Sequence, residues 1–168
     1  YSNTTGTINT ALGDNAMYYN TTGSNNAAGG YHALHQFSTG SWNTAFGSFA
    51  LCGTYGSSTG SYNTAFGGLS LKVNTTGSHN TASGYNVLAS NTTGGCNTST
   101  GAFALYLNTT GNYNSASGYN ALRSNTTASG NTAAGTSSLY SNRIELQQLS
   151  TKESSSAVVA ITASTVVW

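Results

Sequence analysis

Trp42, Tyr62, His79 and Tyr113 are 20, 17 and 34 residues apart, and Tyr31, Tyr85 and Tyr119 are 54 and 34 apart. Every interval is a multiple of 17 or exceeds one by three. Tyr18, His35, Tyr106 and Tyr140 follow the same rule. Flat rings recurring in lines among Asn and Thr suit a sugar, which offers apolar C–H faces and hydroxyl edges; the same rings would also serve to pack subunits together or to cover coil edges. Trp42 and Tyr62 are the foremost candidates, being neighbours in one line. No catalytic set accompanies these rings. The acids are Asp14, Glu145 and Glu153, and no two share a repeat face, so hydrolysis by paired carboxylates has no support. His32 and His35 are three residues apart, His79 falls elsewhere, and a metal needs three or four converging ligands. The glycines lack the Lys-Ser/Thr pair of a phosphate-binding loop. The expectation is a chain that is not an enzyme and uses no metal or cofactor.

A tandem repeat must position these rings. Its first copy runs from Asn3 through Gly6, Asn9, Ala11 and Gly13 to Met17, and further copies start at Asn20, Phe37, Ser57, Asn74, Asn91, Asn108 and Asn125. The step is 17 except between Phe37 and Ser57, where three extra residues within Cys52–Gly56 read as a surface bulge on one coil. The third position is always Thr (Thr5 to Thr127) and the eleventh always Gly (Gly13 to Gly135). The seventh is always Asn: Asn9, Asn26, Asn43, Asn63, Asn80, Asn97, Asn114 and Asn131. The fifteenth is Met17 once and Leu otherwise, from Leu34 to Leu139. The ring-bearing sixth, twelfth and sixteenth positions vary.

Seventeen residues are too few for a helical hairpin unit, and short β-tolerant segments between Gly and Asn favour strand and turn. The fold expected is all-β: a parallel β-solenoid of about eight 17-residue coils over residues 1–141, on the order of 38 Å long at one strand spacing per coil. Equivalent side chains then stack as ladders, with Asn and Thr hydrogen-bonding along the rod and Gly supplying corners at positive φ. The Leu column and the Ala/Ser column from Ala11 to Ala133 form a thin apolar seam. So small a core calls for help. An intertwined or side-by-side homotrimer would supply it, with some of the Leu and with Phe46, Phe49, Phe66 and Phe103 packed between chains. Residues 142–168 break the pattern and hold four of the seven charges; they read as a capping or trimer-clamping segment, the alternative being an unstructured tail.

Only 4% of the residues are charged and the net charge is +1, which gives no footprint for nucleic acid. No apolar run approaches the length of a membrane-spanning helix, and the near-absence of charge and proline argues against disorder. A start at Tyr1 without Met suggests a fragment or processed product. Cys52 and Cys96 fall in different columns three coils apart, too far for a disulfide.

The unit Asn-Thr-Thr-Gly-x-x-Asn-Thr-Ala-x-Gly-x-x-Ala-Leu resembles the head repeats of trimeric autotransporter adhesins and of viral and phage tail fibres, most closely at Asn43–Gly47 and Asn63–Gly67. It is also similar to the tandem repeats of chlorovirus host cell-wall attachment proteins. The resemblance covers residues 3–141 and implies a homotrimeric β-roll or β-helix, extracellular on a virion or bacterial surface, that attaches to host cell-wall or cell-surface polysaccharide. On that reading Trp42, Tyr62, His79, Tyr113, Tyr31, Tyr85 and Tyr119 are the candidate sugar-binding residues. A passive spacer within a fibre is the alternative. Ice binding ranks behind both, because the paired Thr are neighbours that a strand would point to opposite faces. Sequons at Asn3, Asn20, Asn74, Asn91, Asn97, Asn108 and Asn125 mostly restate the repeat.

Overall fold

The computed structural model describes residues 2–54 and 58–141. The terminal segment 142–168, expected as a cap or clamp, lies outside the described residues, as do residues 55–57 of the insertion. Each repeat contributes one three-residue strand: β1 Thr10–Leu12, β2 Ala27–Gly29, β3 Thr44–Phe46, β4 Thr64–Phe66, β5 Thr81–Ser83, β6 Thr98–Thr100, β7 Ser115–Ser117 and β8 Thr132–Ala134. All eight join in chain order in one parallel sheet. The register advances one repeat per step, so Ala11 faces Ala28 and, across the insertion, Ala45 faces Ala65. The fold is a parallel β-solenoid of about seven turns of about 17 residues, without a helix among the described residues.

From β3 to β8 the strands alternate as a pleat requires, middle residue inward and its neighbours outward, whereas β1 is exposed throughout and Gly29 of β2 is buried. Ala28, Ala45, Ala65, Ala82, Ser99, Ala116 and Ala133 are all buried, while Phe46 and Phe66 stand outward. Small middle residues are needed because the coil is narrow: the opposite wall fills it with Leu34, Leu51, Leu71, Leu88, Leu105 and Leu122 and with Ala16, Ala33, Ala50, Val87, Ala104 and Ala121. This corrects one expectation. The leucines close the core of a single chain, at 0–1% exposure, and none of these six is left to pack between chains. Ser99 is the one hydroxyl in this inner strand column, and its buried Oγ has no partner. An unsatisfied buried hydroxyl costs about 1–3 kcal/mol, so Ser99→Ala is expected to stabilise the chain by about 1 kcal/mol, read as a higher denaturant midpoint; an unchanged or lower midpoint would contradict the orphaned hydroxyl.

Polar ladders fill the remainder of the interior. In the seventh column each Asn donates its backbone N–H to the Oδ1 of the Asn one coil earlier, as Asn80 does to Asn63 and Asn97 to Asn80, both at 3.0 Å. The same carboxamide donates Nδ2 to the fourth-column carbonyl of the next coil: Asn63 to Gly77, Asn80 to Gly94 and Asn97 to Gly111 at 2.8–2.9 Å. A second ladder, unforeseen from the sequence, runs through the first column. Asn91, Asn108 and Asn125 each donate Nδ2 to the Oδ1 of the preceding copy at 2.9–3.0 Å. Phe37 interrupts it, and Asn20 Oδ1 is consequently buried without a donor. Phe37 pairs instead with Ser58, across the insertion. There the Thr54 N–H donates to Ser58 Oγ at 2.9 Å, and the sheet keeps its register across the insertion.

The glycine columns do two different things. The eleventh-column glycines hold φ of 109–137°, as a corner residue should. The fourth-column glycines from Gly6 to Gly111 are there for room: a Cβ on any of them would lie 2.2–2.5 Å from a carbonyl oxygen of the next coil. Three further corners are held almost entirely by residues other than glycine, Gly130 being the exception. The sixth, thirteenth and fifteenth columns hold left-handed φ through residues such as Trp42 (60°), His32 (56°) and Leu88 (51°). Each such residue costs roughly 1 kcal/mol. The inter-coil ladder sustains them, as in Trp42 N–H to Ser24 O at 3.0 Å and Leu88 N–H to Ala104 O at 3.1 Å.

Candidate functional site

Trp42, Tyr62 and His79 stand in one line on successive coils, each at a left-handed corner and each followed by a buried ladder Asn. The preceding residue is pinned as well, since Ser24, Ser41 and Ser61 donate backbone N–H to the Oγ of Ser41, Ser61 and Ser78 at 3.0–3.1 Å. A ring held between two ladders has little freedom to move. The Trp42 and Tyr62 planes are 5° apart with centres at 6.3 Å, and Tyr62 and His79 are 6° apart at 4.8 Å. At 4.8 Å the parallel Tyr62 and His79 rings overlap in part, whereas Trp42 and Tyr62 are parallel at a wider spacing. Together the three rings carry an indole N–H, a phenol hydroxyl and imidazole nitrogens in a row along the rod. Trp42 is 55% exposed and Tyr62 53%.

Tyr113 belongs to the same line but is separated from His79 by Cys96, so the stack stops one coil short of it. Four residues beyond Trp42 and Tyr62, Phe46 and Phe66 make a second stack, 5.7 Å between centres and 8° between planes. Thr44 and Thr64 lie between the two stacks along the chain. Coils three and four thus present ring, hydroxyl and ring side by side. On the next three coils the outward strand positions carry hydroxyls in two ranks, Thr81 and Ser83, Thr98 and Thr100, Ser115 and Ser117.

In the twelfth column Tyr31, Tyr85 and Tyr119 are about half exposed and spaced at multiples of the coil, with Ala102 between Tyr85 and Tyr119 and Tyr31 three coils from Tyr85. Phe103 bridges the gap edge-on, 5.6 Å from Tyr85 and 6.2 Å from Tyr119. Tyr31 joins another group: it stacks on His32 at 4.1 Å, His32 stacks on His35 at 4.1 Å, and Phe49 packs edge-on against Tyr31. His35 Nδ1 donates to the Asn15 carbonyl at 2.8 Å. Loss of water around His32 and the neighbouring His35 hold the His32 pKa below the ordinary histidine value, with Asp14 acting in the opposite sense. Among the described residues no group of three or more His, Cys, Asp or Glu could hold a metal ion.

Both cysteines are free, Cys52 buried and Cys96 exposed. Burial raises the Cys52 thiol pKa, partly opposed by Lys72. The sequon asparagines Asn20, Asn74, Asn91, Asn97, Asn108 and Asn125 are at most 2% exposed, so in the folded chain they are ladder residues closed to modification. No helix among the described residues is long and apolar enough to cross a membrane. Comparisons with protein-family models, with curated proteins and with solved structures found no match to this chain.

Proposed function

We propose that this chain is the recognition segment of an extracellular attachment protein, on a virion or cell surface, which binds polysaccharide along the Trp42–Tyr62–His79 ridge. The observation that carries the reading is the ridge itself: three rings stacked in register, half exposed, on a surface with almost no charge. Half-exposed aromatic rings lined up on a rigid frame mark a surface that meets a partner. Their spacing follows the rod axis, so a polymer laid along the rod meets a new ring at each of three successive coils, and Thr44 and Thr64 add hydroxyls on two of them. A hydroxyl-rich polymer satisfies such a row; an enzyme substrate would need a catalytic group beside it.

Binding is tested by retention of the chain on insoluble cell-wall polysaccharides. Replacing both Trp42 and Tyr62 by Ala is expected to weaken retention by at least about tenfold, the equivalent of roughly 1.4 kcal/mol. Unchanged retention in the double variant would place recognition elsewhere. A chain retained on no polysaccharide would favour the passive spacer.

The Phe46–Phe66 stack, 42% and 45% exposed, supports self-association of the rods as a homotrimer. The solution mass is then expected at about three times 17.1 kDa, and a mass of 17.1 kDa at all concentrations would exclude it. The two-rank hydroxyl strip favours ice binding as a second reading, but it spans three coils before Ala134 ends it, and Leu12, Phe46 and Phe66 break it on the other side. Thermal hysteresis in a freezing assay decides that reading, which fails if none is seen.

A further inference from the structure

Arg123 is the only arginine among the described residues, and its surroundings are unlike the rest of the rod. The guanidinium carbon lies 5.2 Å from the Tyr106 ring centre and 5.5 Å from that of Tyr140, the residues one coil before and one coil after it in the same column. Phe103 approaches at 5.9 Å. Cation–π attraction of this kind contributes roughly 0.5–2 kcal/mol per ring and packs aromatic surface around the group. One N–H is committed, Nη1 donating to Tyr140 Oη at 2.8 Å, which fixes the plane. The only described carboxylate, Asp14, is six coils away, roughly 29 Å at one strand spacing per coil. Among the described residues, then, the arginine is held in place without an anion.

Beside it opens a groove of about 280 Å³ lined by Phe103, Tyr119, Asn120, Arg123 and Tyr140. That volume lies at the small end of ligand sites and suits one sugar residue. We propose that this groove binds the acid group of a carboxylated or sulfated sugar. A planar carboxylate or a sulfate fits the remaining in-plane N–H edge of Arg123, the geometry at which arginine surpasses lysine. The half-exposed Tyr119 ring offers an apolar wall to the C–H face of the sugar, and the Asn120 amide offers a donor and an acceptor to its hydroxyls. A neutral sugar would leave the arginine edge facing water and gain only the wall. The sugar class rests on the polysaccharide reading above; the preference for an anion rests on the groove alone.

The test titrates glucuronate and, separately, glucose into the full chain while the tyrosine ring signals are followed by NMR. Glucuronate is expected to shift the Tyr119 and Tyr140 signals saturably, at least about tenfold more tightly than glucose. Arg123→Gln is expected to abolish that difference. Because it also removes packing, Tyr140→Phe serves as the milder variant: it keeps the ring, frees the guanidinium plane and should weaken glucuronate severalfold. Equal binding of the two sugars, or wild-type binding of glucuronate by both variants, overturns the proposal. The two readings fail separately. If glucuronate binds but no polysaccharide is retained, the attachment reading falls and the groove stands; if polysaccharide is retained but the two sugars are indistinguishable, the groove falls alone.

Discussion

Asn80→Ala is expected to lower the unfolding free energy by about 4 kcal/mol, more than any loss of a single exposed ring. The fully buried carboxamide of Asn80 donates to Asn63 Oδ1 and Gly94 O, and accepts from both the backbone N–H and the Nδ2 of Asn97. Alanine removes every one of these side-chain bonds and, in a coil too narrow for relaxation, leaves the Asn97 N–H buried without a partner, while the Gly94 carbonyl keeps only Asn91 Nδ2. The orphaned N–H costs about 1–3 kcal/mol, and the lost side-chain bonds about 1 kcal/mol each. Asn131→Ala provides the internal control: Asn131 is only half-buried and bonds chiefly back to Asn114, so about 1 kcal/mol is expected there. Denaturant midpoints measured side by side check the pair. Equal losses at the two positions would mean that the ladder does not carry the core.

Gly77→Ala is expected to destabilise by roughly 3 kcal/mol or more, in the upper range for overpacking. The φ of Gly77 is not in the left-handed region, so the conformational freedom of glycine is not the reason. A Cβ there would lie 2.4 Å from Asn74 Oδ1, 2.5 Å from Gly94 O and 2.9 Å from Asn91 Nδ2. Those are members of both Asn ladders, and any shift that relieves one contact breaks a hydrogen bond. The repeat contains its own control, because the eighth copy has Ala128 where the other seven have glycine. Ala128→Gly should change stability by no more than about 1 kcal/mol, through the freedom of the unfolded chain. If Gly77→Ala proves as mild as Ala128→Gly, the close approach of the coils is not what selects glycine.

The period, the register and the outward or inward sense of the strand were legible in the sequence because a solenoid maps each fixed column onto one ladder. The Asn, Ala/Ser and Leu columns were identified from their constancy alone. Two buried columns escaped. The first column replaces its Asn by Phe37 in one copy and the fourteenth reads Ala, Ser or Val, and such variation hides a shared environment. The corners at Trp42, His32 and Leu88 were illegible for another reason: left-handed φ normally shows as Gly or Asn, and here the ladder overrides that preference. The candidate rings were found by spacing, but whether they turn faces or edges outward depends on side-chain torsions that spacing does not report. The place of Arg123 between Tyr106 and Tyr140 in the sixteenth column follows from the 17-residue spacing, but the approach of Phe103 from the thirteenth column does not.

Ala128 has a meaning beyond its own coil. A second rod placed end to end on the eighth coil, in the register used everywhere else, would bring a carbonyl oxygen to within the 2.2–2.5 Å that the other coils reserve for a missing Cβ. The methyl group denies that oxygen its place. Stacked, open-edged strands are otherwise templates for indefinite growth, and seven of the eight repeat copies are written as such a template. One methyl group therefore marks the eighth coil off from the other seven: its fourth position lacks the close seat that each of them gives to the coil that follows.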